Sequence, residues 1–90
     1  MAKITVEPRR EGEYHVVVNE GGSRTTHTVS VDDGYYRKLT DGKISRDELV
    51  RRSFEFLLAR EPKESILGTF DLPVIARYFR EYESEMRRRC

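Results

Sequence analysis

Arg24, Thr26, Thr28 and Ser30 occupy every second position of one segment, so an extended chain would put all four on one side. These are the side chains that read base edges. Arginine chelates guanine, hydroxyls of Thr or Ser donate or accept, and a Thr methyl meets the methyl of thymine. Downstream, Ser45-Arg46-Asp47-Glu48 has capping-box spacing, with the Ser45 hydroxyl satisfying an early amide and Glu48 reaching back. A helix opened at Ser45 would aim its free first-turn amides at a phosphate. Lys43 and Arg46 flank that end and could add contacts that release counterions. A plainer account of the strand row stands beside this one. Threonine is a good strand former, and a sheet covered on one face needs a polar outer face.

Other reactive residues carry less. His15 and His27 fall on opposite faces of a hairpin and cannot share a ligand, and His27 reads as a hydrogen-bonded or rim histidine. Asp32-Asp33 offers paired carboxylates, but their place before a helix makes them caps. The His and Cys spacing matches no zinc site, and neither a nucleophile elbow nor a phosphate-binding loop occurs. The single Cys90 closes the chain, which leaves no internal disulfide to form. The expectation is a protein that is not an enzyme and has no metal and no cofactor.

The elements that would position these residues follow from periodicity and turn chemistry. Residues 3–7 alternate, with Ile4 and Val6 on one face, and 8–12 read as a turn. Residues 13–19 and 23–31 are strands joined through Gly21-Gly22. That loop sets Val18 opposite Thr25, Val16 opposite His27 and Tyr14 opposite Val29. Tyr14, Val16, Val18, Thr25, His27, Val29 and Val31 then face the core, and the face carrying Arg24, Thr26, Thr28 and Ser30 is wet. Asp32 or Asp33 caps a short helix over 35–40, which Asp41-Gly42 ends. Ser45 opens a helix to about residue 60, with Leu49, Val50, Phe54, Leu57 and Leu58 on its buried stripe. Pro62 stops that helix and starts a single turn. Asp71 caps a final helix with Leu72, Ile75, Phe79, Tyr82 and Met86 inward. Phe56 and Tyr78 lie off the stripes, which points to a second buried face or a subunit contact. Phe56 is assigned as a dimer or partner contact. The predicted fold is α+β, one domain over residues 1–90: a three-stranded antiparallel meander followed by three to four helices packed on one face.

The strand carrying Arg24, Thr26, Thr28 and Ser30, the step Val29-Ser30-Val31-Asp32-Asp33, and the run 45–52 together resemble the ribbon-helix-helix family of DNA-binding proteins. The resemblance covers residues 24–60. It implies a homodimer that pairs two strands into a ribbon, enters the major groove of duplex DNA, and acts as a transcriptional regulator or an antitoxin-like protein. Arg24, Thr26, Thr28 and Ser30 would then touch bases, while Lys43, Ser45 and Arg46 would hold the backbone. Residues 64–79 also resemble part of a group of small bacterial proteins of unknown function, which implies a bacterial origin.

Composition bounds these readings. The chain has 90 residues, 37% of them charged, and a net charge of +1. That is enough for one modest core, with too little excess charge to require nucleic acid. Residues 23–60 carry eight Lys or Arg against six acids. No apolar run reaches the length of a membrane span, and Met1-Ala2-Lys3 leads directly into strand-like sequence, so no leader, no membrane and a cytoplasmic location are expected. The alternative to DNA binding is a protein-interaction module, using the free edge of the third strand or the surface around Phe56.

Overall fold

The computed structural model describes residues 2–89; Cys90, expected to be free of an internal disulfide, lies outside the described residues. Three strands, β1 (Lys3–Arg10), β2 (Glu13–Glu20) and β3 (Ser23–Ser30), form an antiparallel meander. β1 extends past its expected end, with a register shift between Pro8 and Arg10. A proline is tolerated there because β1 is an edge strand and its outer amides need no partner in the sheet. The β2–β3 hairpin turns on Gly21 and Gly22, at φ 64° and 80°. This left-handed pair matches the twist of the flanking strands and costs glycine nothing sterically. The register is the expected one: Val18 opposite Thr25, Val16 opposite His27, Tyr14 opposite Val29. Tyr14, Val16, Val18, His27 and Val29 are buried, whereas Arg24 and Thr26 are exposed.

α1 (Asp33–Thr40) begins at Asp32, whose carboxylate accepts from the Tyr35 amide at 3.0 Å, and ends at Asp41 in the left-handed region. α2 (Arg46–Leu58) begins at Ser45, whose hydroxyl accepts from the Glu48 amide at 3.2 Å. Only that half of the capping box forms. The Glu48 carboxylate turns along the helix instead, to the guanidinium groups of Arg51 and Arg52. Three charged hydrogen bonds from two guanidinium groups outcompete one backbone amide for the same oxygens. Leu49, Val50, Phe54 and Leu57 lie beneath the helix as expected, while Leu58 is only half-buried.

Residues 59–89 differ most from expectation. A single 3-10 turn, Lys63–Ser65, follows Pro62. The chain then returns to the sheet as a fourth strand, β4 (Thr69–Asp71), parallel to β3, with the order β1-β2-β3-β4. The expected meander is therefore the antiparallel part of a mixed four-stranded sheet. Asp71, expected to cap a helix, instead accepts a hydrogen bond from the Ser30 hydroxyl. Two helices follow where one was expected, α3 (Val74–Tyr78) and α4 (Tyr82–Arg89), separated at Phe79 by extended backbone with φ −130° and ψ 102°. That break aims two rings at one target. Phe79 and Tyr82 both meet Phe56 edge-on, at centroid distances of 5.8 and 5.3 Å.

Phe56 is therefore not a partner contact. It is 1% exposed, buried by this chain's own α3–α4 region, with the Arg60 guanidinium 3.6 Å above its ring. Nearby, the Ser53 hydroxyl donates to the Leu49 carbonyl at 2.8 Å, so the Tyr82 hydroxyl, 2.7 Å away, must donate to Ser53. A polar pair inside a core costs little once both groups are satisfied. Because Phe56 sits at the centre of this aromatic cluster, Phe56→Ala should cost about 3–5 kcal/mol in urea denaturation. It should leave the oligomeric state unchanged in sedimentation.

The Glu48 cluster has a pH signature. Hydrogen bonds from Arg51, then Arg52, hold the Glu48 carboxyl down at about 2, against roughly 4.3 in an unfolded chain. A lowered folded value means the unfolded form binds the proton more tightly. The stabilisation is complete above about pH 4.3 and disappears as pH falls towards about 2. Glu48→Gln should lower stability by about 1 kcal/mol at pH 7 and converge with the parent near the acid end, in urea curves taken across that window.

Candidate functional site

The seven residues singled out for nucleic acid do not form one surface. Arg24, Thr26, Thr28 and Ser30 lie along the outer face of β3, and the helices cover the opposite face. Lys43, Ser45 and Arg46 belong to the helical layer. Ser45 is committed to its cap. Arg46 pairs with Asp33 and lies 4.5 Å from the centre of the Tyr36 ring. Lys43 borders a hollow with Arg37, Lys38 and Arg87 at the carbonyl end of α1, and there Arg37 and Lys38 already pair with Asp33 and Glu83. The strand row itself is divided. Arg24 and Thr26 are exposed, but Thr28 and Ser30 are half-buried beside β4.

β4 also takes much of the edge that a two-chain ribbon would use. The Thr28 amide donates to the Gly68 carbonyl at 2.7 Å, and the Leu72 amide donates to the Ser30 carbonyl at 2.9 Å. From Thr28 onward β3 is an interior strand, so the expected free edge remains only over its first half. Electrostatics do not favour a polyanion on the outer face either. Lys3, Arg10 and Arg24 share the outward register there with Glu7, Glu13 and Asp71, and Arg10 pairs with Glu13. Arg9 is moreover engaged with the ring of His15 at 3.0 Å.

The surface that stands out was not singled out in the sequence. Among the described residues, Leu67 and Tyr78 are the large apolar side chains left exposed, at 46% and 69%. Both line one groove of about 360 Å³ between the end of α2, residues 65–70 and α3. Its floor is core: Leu57, Ile66, Phe70 and Ile75 are all buried. Glu61 also lines it. A concave apolar surface of this size lies within the range of binding sites.

His27 shapes one wall of the groove. A carbonyl oxygen only accepts, so the 2.8 Å contact between His27 Nδ1 and the Leu67 carbonyl places a hydrogen on Nδ1. Nε2 meets the Thr25 hydroxyl at 2.8 Å, and the ring packs 5.2 Å from Phe54. With the Leu67 carbonyl held inward by His27 and the Gly68 carbonyl held by Thr28, the Leu67 side chain is left outside. His27 is thus a structural tether on the core face. Among the described residues no group of three or more His, Cys, Asp or Glu side chains is arranged to hold a metal ion. Among the described residues no helix is long and apolar enough to cross a membrane.

Tyr78 had one sequence signal, its position off the helical stripe. Leu67 and Glu61 had none, because the groove is made by a chain return that local periodicity does not encode. Comparison of the chain with family models, curated proteins and solved structures gives no match.

Replacing His27 by Ala removes a buried ring and leaves the Leu67 carbonyl unpaired. We expect a loss of about 2–4 kcal/mol in urea denaturation. Leu67→Ser, at an exposed site, should shift stability by less than about 0.5 kcal/mol.

Proposed function

We propose that this chain is a small protein-interaction module that docks a segment of a partner protein in the groove bounded by α2, residues 65–70 and α3. One observation carries the reading. The two large apolar side chains exposed among the described residues, Leu67 and Tyr78, converge on a single concave surface whose floor is the core itself. Scattered exposed hydrophobics are ordinary, whereas convergence on one cleft is the pattern of a recognition site. A partner's apolar side chain placed there would be dehydrated on several sides, gaining roughly 25 cal/mol per Å² of apolar surface removed from water.

The ribbon-like, DNA-reading proposal finds less support. Its base-contacting row and its phosphate-contacting set lie on different layers, and β4 occupies part of the edge through which a second strand would pair. A four-stranded sheet is also broader than the two-stranded ribbon that a major groove admits.

A peptide-display selection on the folded chain, paired with titration of mixed duplex DNA at low and high salt, separates the two. The expected outcome is a set of peptides with apolar anchors whose binding is lost in the Leu67→Ser/Tyr78→Ser double variant, with no salt-steep DNA binding. Peptides indifferent to that variant, or DNA binding abolished by Arg24→Ala, would overturn the reading.

A further inference from the structure

We infer that the partner segment accepted by this groove carries a lysine or arginine beside its apolar anchor, and that this cation pairs with Glu61. The inference rests on the docking reading above and adds the chemistry of the partner. Among the described residues, Glu61 is the one charged side chain lining the groove. It is half-buried, and that burial raises its carboxyl above the ordinary glutamate range.

The cations nearest in sequence are already engaged. Arg60 lies over the Phe56 ring at 3.6 Å and bonds the Glu81 carboxylate and the Phe56 carbonyl, each at 3.0 Å. Lys63 is buried and bonds Glu64 at 2.8 Å. Arg77 and Arg80 are exposed and do not line the groove. No ion pair or side-chain hydrogen bond joins Glu61 to another described residue.

A carboxylate in that position discriminates between partners. A purely apolar segment closing over the groove would strip water from Glu61 and leave a charge without a counterion, which is costly. An acidic segment would add like-charge repulsion to that cost. A segment bearing an ammonium or guanidinium group supplies the counterion as the water leaves, so the same residue that rejects two classes of partner selects the third. The Tyr78 ring, exposed on the groove wall, offers that cation an aromatic face as well.

The test uses three peptides with identical leucine and phenylalanine anchors that differ at one flanking position: Lys, Gln or Glu. Each is titrated by fluorescence anisotropy into the parent chain and into Glu61→Gln and Glu61→Lys. The parent should bind the Lys peptide about tenfold more tightly than the Gln peptide, with the Glu peptide weakest. Glu61→Gln should erase the difference between the Lys and Gln peptides, and Glu61→Lys should invert the order. Glu61→Gln preserves the side-chain shape and carries the test alone if Glu61→Lys fails to fold. Equal binding of all three peptides, still lost in Leu67→Ser/Tyr78→Ser, would overturn the charge selection and leave docking intact. No binding of any peptide would overturn both. A parent chain that sediments as a dimer, and as a monomer only after Tyr78→Ser, would show a second copy in the groove and overturn this partner.

Discussion

The return of residues 68–72 to the side of β3 is the contact on which the rest of this architecture depends. Two backbone hydrogen bonds, from the Thr28 amide to the Gly68 carbonyl and from the Leu72 amide to the Ser30 carbonyl, fix the chain there, and the His27 ring holds the carbonyl just before it. Three consequences follow from one short clasp. The second half of β3 ceases to be an open edge, a liability in any sheet. Phe70 and Leu72 are delivered to the core. The Leu67 side chain, with its backbone pinned inward, is left standing in solvent as the wall of a groove.

The helical layer shows a comparable division of labour among its aromatics. Phe54 faces the sheet and packs at a tilt against the rings of His27 and Phe70. Phe56, two residues on, faces the opposite way and gathers Phe79, Tyr82 and Arg60. One helix thereby carries two buried faces, and α3 and α4 exist to cover the second. Tyr78 belongs to neither cluster and remains exposed on the short α3. Charges are largely neutralised in pairs, Asp33 with Arg37 and Arg46, Glu48 with Arg51 and Arg52, Glu83 with Lys38. Against that background an apolar groove with one unmatched carboxylate is chemically distinct.

How far the sequence could be read depended on the range of the interactions that set each element. The β2–β3 register was legible because Gly21-Gly22 determines a two-residue turn, and a period of two then assigns every side chain to a face. The Ser45 cap, and a cap at Asp32 or Asp33, were legible for the same local reason. Thr69–Asp71 was not, since three residues carry no periodicity and their partner strand lies about forty residues earlier, beyond two helices. Phe56 was misplaced because helical periodicity reports one stripe well, and a second buried face only declares itself when its covering elements are known. The break at Phe79 has no proline or glycine to announce it. The groove inherits all of these non-local decisions, so only Tyr78, off its stripe, gave any hint of it.

Amide hydrogen exchange at Thr28 and Leu72 tests the central claim most directly, because both amides point along the clasp. The structure predicts exchange slowed to the rate of the interior β2–β3 ladder. Exchange at Thr28 as fast as that of an unpaired edge amide would mean that β3 is open along its whole length, and the groove built upon its closure would go with it.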